Sequence, residues 1–307
     1  MDREGLKRPR LLALTAAALF STGGTAIKFC SFGPWQVASF RCAFAAVAIA
    51  LFVPETRRGF TWRLLPVAAA YAMQSLLFAT SNKLTTAANA IFLQSTSPLY
   101  VLLLSPLLLH EKVRRSDVAF LVALAAGMAM FFVGIDAASD TATDPVLGNV
   151  LAVASGVGWA LTILGLRWLG RTDGDTGSAA LSATLWGNVL ACAISLPWAL
   201  PVPDGGFRDW GVLAFLGVVQ IGVAYFCLTR AARSIAALEL SLLLILEPVL
   251  SAIWAWIFHG ERPGPWSVAG AVTILAATIV HAVRHSTSDT VPHAAGPLAS
   301  DGESRHR

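Results

Sequence analysis

Apolar residues run along this chain in stretches of roughly twenty, each closed by charges or by proline and glycine, and a helix needs about that many to cross a bilayer. Ten stretches can be marked off, at residues 11–29, 34–53, 65–82, 87–108, 117–134, 146–167, 178–199, 211–229, 236–258 and 265–283. The pattern predicts an all-α integral membrane protein with ten transmembrane helices. Few polar residues break these stretches, so the ones that do carry most of the information.

Counting inward from the span ends at roughly 1.5 Å per residue brings six side chains to a common depth. They are Thr22, Gln74, Gln94, Trp159, Gln220 and Glu247, in spans one, three, four, six, eight and nine. Spans five and ten offer almost nothing comparable. Together the six predict the lining of a central cavity. Taken singly, each Gln is explained equally well by an interhelical hydrogen bond, worth only about 0.6 to 2 kcal/mol.

Glu247 stands out, a carboxylate followed by Pro248 in the apolar run from Ala236 to Phe258. Ionisable groups at membrane depth are costly and persist mainly where they face a protein interior or a water-filled path. If unpaired, its proton affinity should rise through desolvation, making it a candidate site for a coupling proton or a substrate amine. Lys28 and Arg41, toward the ends of spans one and two, are candidate charge partners. Their long stems allow one to snorkel to the headgroups and the other to neutralise Glu247, which would weaken the proton reading. Glu239, near the cytoplasmic end of span nine, reads as a solvated mouth residue.

Composition agrees with the pattern. Of 307 residues, 56% are hydrophobic and 13% charged, outside the soluble globular range. With the N-terminus in the cytoplasm, alternate connections place seventeen Lys and Arg on the cytoplasmic side. Only Lys28, Lys83, Arg208 and Arg262 fall on the other, with Arg41 left inside a span. That asymmetry predicts a multi-pass protein of the cell (inner) membrane with both termini cytoplasmic. The net charge of +4 is scattered over short loops, so no nucleic-acid partner is implied. Span one follows four basic residues but lacks a convincing cleavage site, and nine further spans argue that it is retained. The cysteines, Cys30, Cys42, Cys192 and Cys227, have no metal-type spacing and read as small buried hydrophobes.

The halves resemble each other at an offset of 150 residues, where Pro98 meets Pro248, Glu111 meets Glu261 and basic Lys83 meets basic Arg233. Five spans is an odd number, so the second half must enter the membrane from the opposite face. Two inverted five-helix repeats are expected, at 11–134 and 146–283. They are joined by an exterior linker at 135–145 and flanked by a cytoplasmic segment at 1–10 and a disordered tail at 284–307. Inverted repeats with helices interrupted at matching positions point to a transporter with a midplane site. Pro98 and Pro248 supply the interruptions and are candidate gating points, since proline lacks an N–H and collides with the preceding turn. Small residues recur every four positions at Gly148, Ala152 and Gly156 and at Ala119, Ala123 and Gly127, stripes suited to close helix packing. Spans five and ten suit the periphery or a subunit contact, which makes a homodimer a candidate assembly.

Other function classes fit less well. The six histidines sit at helix ends or in the tail and form no HExxH pair, and no nucleophile has an evident base, so neither an enzyme nor a bound metal or cofactor is expected. A sensor would need a soluble output domain, and the 24-residue tail from Arg284 is too short for one.

The order and spacing of these features resemble a known family. Phe20 to Lys28 (FSTGGTAIK), Arg41, Thr85 to Pro98 (TTAANAIFLQSTSP) and His110-Glu111 look like the first repeat of EamA-type transporters of the drug/metabolite transporter superfamily. Gly158-Trp159-Ala160, Leu246-Glu247-Pro248 and Gly260-Glu261-Arg262-Pro263 look like the second. The resemblance implies two inverted five-helix repeats and a cavity lined by spans one, three, four, six, eight and nine. It also implies export of amino acids, metabolites or toxic organic compounds, some by proton exchange and others by facilitation. Ser21-Thr22 departs from the Trp-Gly often found in relatives. A sugar-phosphate-type carrier, the alternative, would want basic residues deep in the cavity.

Overall fold

The structure, a computed structural model, describes residues 7–53, 56, 61–108, 115–133, 139–173, 176–202, 204–232, 234 and 237–288. Glu111 and Arg233, two members of the matched pairs, lie outside these. So does the tail beyond Ser288. Among the described residues the secondary structure is helical apart from turns and one isolated bridge between Ser139 and Ala142.

The helices are α1 (Lys7–Ser21), α2 (Gly23–Phe29), α3 (Pro34–Phe52), α4 (Leu64–Leu84), α5 (Ala87–Gln94), α6 (Ser97–Leu108) and α7 (Arg115–Val133) in the first half. The second half contains α8 (Pro145–Asp173), α9 (Thr176–Ala199), α10 (Phe207–Ala214), a π-helical segment (Phe215–Val223), α11 (Ala224–Ala232), α12 (Ala237–Leu244), α13 (Leu246–His259) and α14 (Pro265–Ser288). Among the described residues, eight continuous or interrupted stretches are long and apolar enough to cross a membrane, and Asp117–Val133 is a shorter apolar helix. The protein is therefore a multi-pass helical membrane protein. Helix α14 runs five residues past the predicted end of span ten, and α8 extends to Asp173, six past the predicted end of span six.

Local chemistry explains several element ends. Pro34 opens α3, where its missing N–H is an orphan anyway. Thr86 caps α5 by accepting a hydrogen bond from Asn89 N at 3.2 Å. Gly260 ends α13 in the left-handed region at φ 66°, which only glycine adopts without a Cβ penalty, and turns the chain so that Glu261 follows at once.

Helix α4 lies between α8 and α9, while α3 packs on α9 and the π segment. Helix α1 packs on α11, α12 and α13, and α7 pairs with α14 at the edge. The α7–α14 contact is close because both helices carry glycine where they cross. A Cβ on Gly270 would stand 2.6 Å from the Gly127 carbonyl oxygen. Outward faces of both helices carry exposed apolar side chains, among them Val118, Val122, Val268 and Val272, as lipid contact requires.

Candidate functional site

Four of the stretches that meet at the centre are irregular. Helix α5 gives way to α6 through a turn at Ser95 and Thr96, just before Pro98. Helix α12 gives way to α13 at Ile245, just before Pro248. Proline cannot donate to the carbonyl four residues earlier, so Gln94 and Leu244 lose helical partners in corresponding places. The α1–α2 stretch breaks at Thr22, and the π segment surrounds Gln220. Irregular backbone at membrane depth is tolerated where it lines a cavity or is buried in protein.

These breaks surround a cavity of about 330 Å³. Gln74, Gln94, Gln220, Trp159, Glu247, Pro98 and Pro248 all line it, and so does Arg41. Its volume is at the lower end of the roughly 300–1,000 Å³ of small-molecule sites. Thr22 is not among them. It lines a separate apolar groove with Phe29, Phe215, Trp254 and Phe258, and its hydroxyl is turned back on the Leu19 carbonyl at 2.7 Å. The helix break at Thr22 turns its side chain away from the centre.

The polar lining is held by specific bonds. Gln94 Nε2 donates to Ser155 Oγ at 3.0 Å, and Ser155 Oγ donates to the Gln74 carbonyl at 3.1 Å, linking three of the helices. Arg41 is buried, and its Nη2 donates to the carbonyl and hydroxyl of Ser75 at 2.7 and 2.8 Å. The π segment reaches α3 here because residue 217 is glycine. A Cβ there would sit 2.6 Å from the Arg41 carbonyl oxygen. Glu247 is half-buried and makes no ion pair or hydrogen bond among the described residues. Arg41 thus stands in the same cavity as Glu247 without pairing with it.

Lys28 is engaged elsewhere. Its Nζ lies 2.9 Å from Glu261 Oε1, with side chains 4% and 2% exposed, and also donates to the carbonyls of Thr85, at 2.8 Å, and Thr141. Glu261 Oε2 accepts from Ala87 N at 2.9 Å. Nearby, Asp209 accepts from Ser31 N and Oγ at 2.7 and 2.8 Å, Thr85 donates to Asn149 at 2.7 Å, and Lys83 donates to the Cys30 carbonyl. One end of the bundle is therefore closed by buried and part-buried polar contacts, of which Lys28–Glu261, Ser31–Asp209 and Thr85–Asn149 join the two halves. At the opposite end Arg10 pairs with Glu239 in a more exposed setting, and cavity-lining Leu228, Leu244 and Thr278 extend toward that side.

Sequence reasoning missed Tyr71, Ser75 and Tyr225, all on the cavity wall. Tyr71 accepts from Asn188 Nδ2 at 3.2 Å, and its ring lies 6.0 Å from that of Tyr225. A signal was available. The chain has three tyrosines, Tyr71, Tyr100 and Tyr225, and all lie within spans rather than at the interfaces that tyrosine favours.

Comparison with known proteins places these features in context. The sequence pattern of the EamA-like transporter family matches residues 8–133 and 146–282. Pseudopaline exporter CntI of Pseudomonas aeruginosa is 28% identical over 287 residues, covering 89% of this chain and 95% of that protein. Solute carrier family 35 member G1 of Homo sapiens is 23% identical over 296 residues, covering 88% and 78%. A protein of known crystal structure shares the fold with a TM-score of 0.61 at 19% identity, over 94% of this chain and all of that one.

Proposed function

This chain belongs to the EamA-like transporter family, and from that premise we propose that it is a secondary transporter exporting a small organic metabolite by alternating access. In this reading ten spans form two inverted five-helix repeats, with α7 as the fifth and α12 with α13 as the ninth. The proline-linked breaks before Pro98 and Pro248 support the repeat, because they recur at the same offset in each half. The excess of basic residues in alternate connections supports a cell (inner) membrane protein with both termini cytoplasmic, and in this reading the closed end faces outward and the cavity extends inward. A relative named as an exporter supports outward flux.

The observation that carries the reading is the cavity itself, set among interrupted helices of both halves and bearing the unpaired Glu247. A carboxylate that holds a proton in one state and exchanges it for cargo in the other couples the two flows. Pro98 and Pro248 are the flexure points, and Gln74, Gln94, Gln220 and Trp159 orient the cargo.

Purified protein in liposomes, given labelled amino acids and cationic dyes with and without a proton gradient, tests this reading. In inverted vesicles Glu247→Gln is expected to abolish the pH-driven component of uptake while leaving downhill flux. Unchanged proton dependence would remove Glu247 from the coupling role and favour uncoupled facilitation.

A further inference from the structure

We propose that the apolar groove over α2 is a binding site for one phospholipid of the bilayer, with an acyl chain lying in the groove and the phosphate on Arg208. The groove is separate from the central cavity and larger, at about 500 Å³. Its floor is the stripe Thr22, Thr25, Ala26 and Phe29, spaced so that all four share one helix face. Its walls are α10 with the π segment on one side and α13 on the other, and all of these pack on α2. From Phe29 to Thr22 the floor runs about 10 Å at roughly 1.5 Å per residue, against about 15 Å for the hydrocarbon of one leaflet. The groove is open along its length. Gly211, Phe215 and Phe258 are exposed, and a Cβ on Gly211 would meet no atom within 4 Å. Gly217 and Gly270 admit a neighbouring helix, whereas Gly211 leaves a gap.

The head of the groove is cationic. Arg208 is exposed, and its guanidinium carbon stands 5.5 Å from the centre of the Phe29 ring, at the closed end of the bundle. Among the described residues it makes no hydrogen bond or ion pair, and neighbouring Asp209 is committed to Ser31. Its five N–H donors are therefore available to a phosphate, which a planar guanidinium grips through two oxygens. One turn deeper, Thr25 is 4% exposed and its Oγ1 makes no hydrogen bond, although Thr15, Thr80, Thr162 and Thr278 each turn theirs onto the carbonyl four residues back. That hydroxyl lies about 6 Å below Phe29, the depth at which an ester carbonyl of the same lipid accepts from it. A second transmembrane helix would cover the walls with apolar side chains and leave Arg208 bare. A free phosphate would leave the walls uncovered. A phospholipid meets both ends at once, and it touches α2 from the first half together with α10 and α13 from the second.

Three probes separate these contacts. Full-length protein in detergent is titrated by native mass spectrometry with dioleoylphosphatidylglycerol, with dioleoylglycerol, which lacks the phosphate, and with glycerol 3-phosphate, which lacks the tails. One phosphatidylglycerol is expected to be retained per chain, roughly tenfold tighter than the diacylglycerol, as a hydrogen bond to a charged group allows. Glycerol 3-phosphate should not bind. Arg208→Gln should bring phosphatidylglycerol down to the level of the diacylglycerol, and Arg208→Lys, which keeps the cation, should retain part of the preference. Gly211→Trp, which projects into open space, should weaken both lipids by roughly tenfold while the unfolding midpoint without added lipid stays unchanged. In liposomes, phosphatidylglycerol with a photoreactive tail should label Phe215 and Phe258, and Gly211→Trp should remove the label. Equal binding of the two lipids, or retention of glycerol 3-phosphate as firmly as the whole lipid, overturns the proposal. So does lipid binding that neither Arg208→Gln nor Gly211→Trp alters, which would mark unspecific boundary lipid. A dimer that excludes the lipid and is broken by Gly211→Trp would assign the groove to a second copy of the chain instead. None of these readouts depends on transport, so they test the groove apart from the central cavity.

Discussion

Lys28 and Glu261 meet with almost no exposure to solvent, so each desolvated charge depends on the other. Removing one partner leaves a buried charge bare, which costs about 3–5 kcal/mol, whereas replacing both with neutral side chains of similar volume is often near neutral. Lys28→Met should therefore lower the unfolding midpoint in detergent markedly, and Lys28→Met with Glu261→Gln should recover most of the loss. A double variant no better than the single would show that the pair does not act as a unit. The pairing was not legible in the sequence. Glu261 stands out there as a repeat landmark and in the Gly260-Glu261-Arg262-Pro263 stretch, and Lys28 as a candidate partner for Glu247, because nothing in linear order says which loop folds over which helix end. Depth was legible. Gln74, Gln94, Trp159, Gln220 and Glu247 were placed by counting residues, and the structure brings these five to one cavity. Counting failed for Thr22 because it assumes a continuous helix, and α1 breaks there.

At the scale of elements, the breaks before Pro98 and Pro248 are the features a substitution can test. Alanine restores the missing N–H and favours a helical interior by about 3 kcal/mol over proline. Even half of that, spent on straightening the helix, would shift a two-state balance roughly tenfold. Pro98→Ala and Pro248→Ala should slow transport by about that factor while ligand binding in detergent survives. Loss of binding in step with transport would point to damage to the cavity instead. Both breaks are legible because proline announces them. The π segment around Gln220 is not, since FLGVVQIGV reads as an ordinary apolar helix, and only its fit against α3 at Gly217 gives a reason for the wider turn.

At the scale of the whole molecule, polar contacts close one end while the cavity extends toward the other. If the basic-rich connections are cytoplasmic, a cysteine replacing cavity-lining Thr278, in a background with the four native cysteines removed, should react with a membrane-impermeant maleimide in inside-out vesicles and be protected in right-side-out ones. The opposite pattern would invert the proposed orientation. Helix α13 joins the two regions. It begins beside Glu247 and ends at Gly260, one residue before Glu261, and its 14 residues span roughly 21 Å as a stiff rod. In the proposed transport cycle, cargo drawn against the carboxylate at one tip would pull on a lever whose far tip leads into Glu261, so occupancy and release of the Lys28–Glu261 pair would be mechanically joined along a single helix.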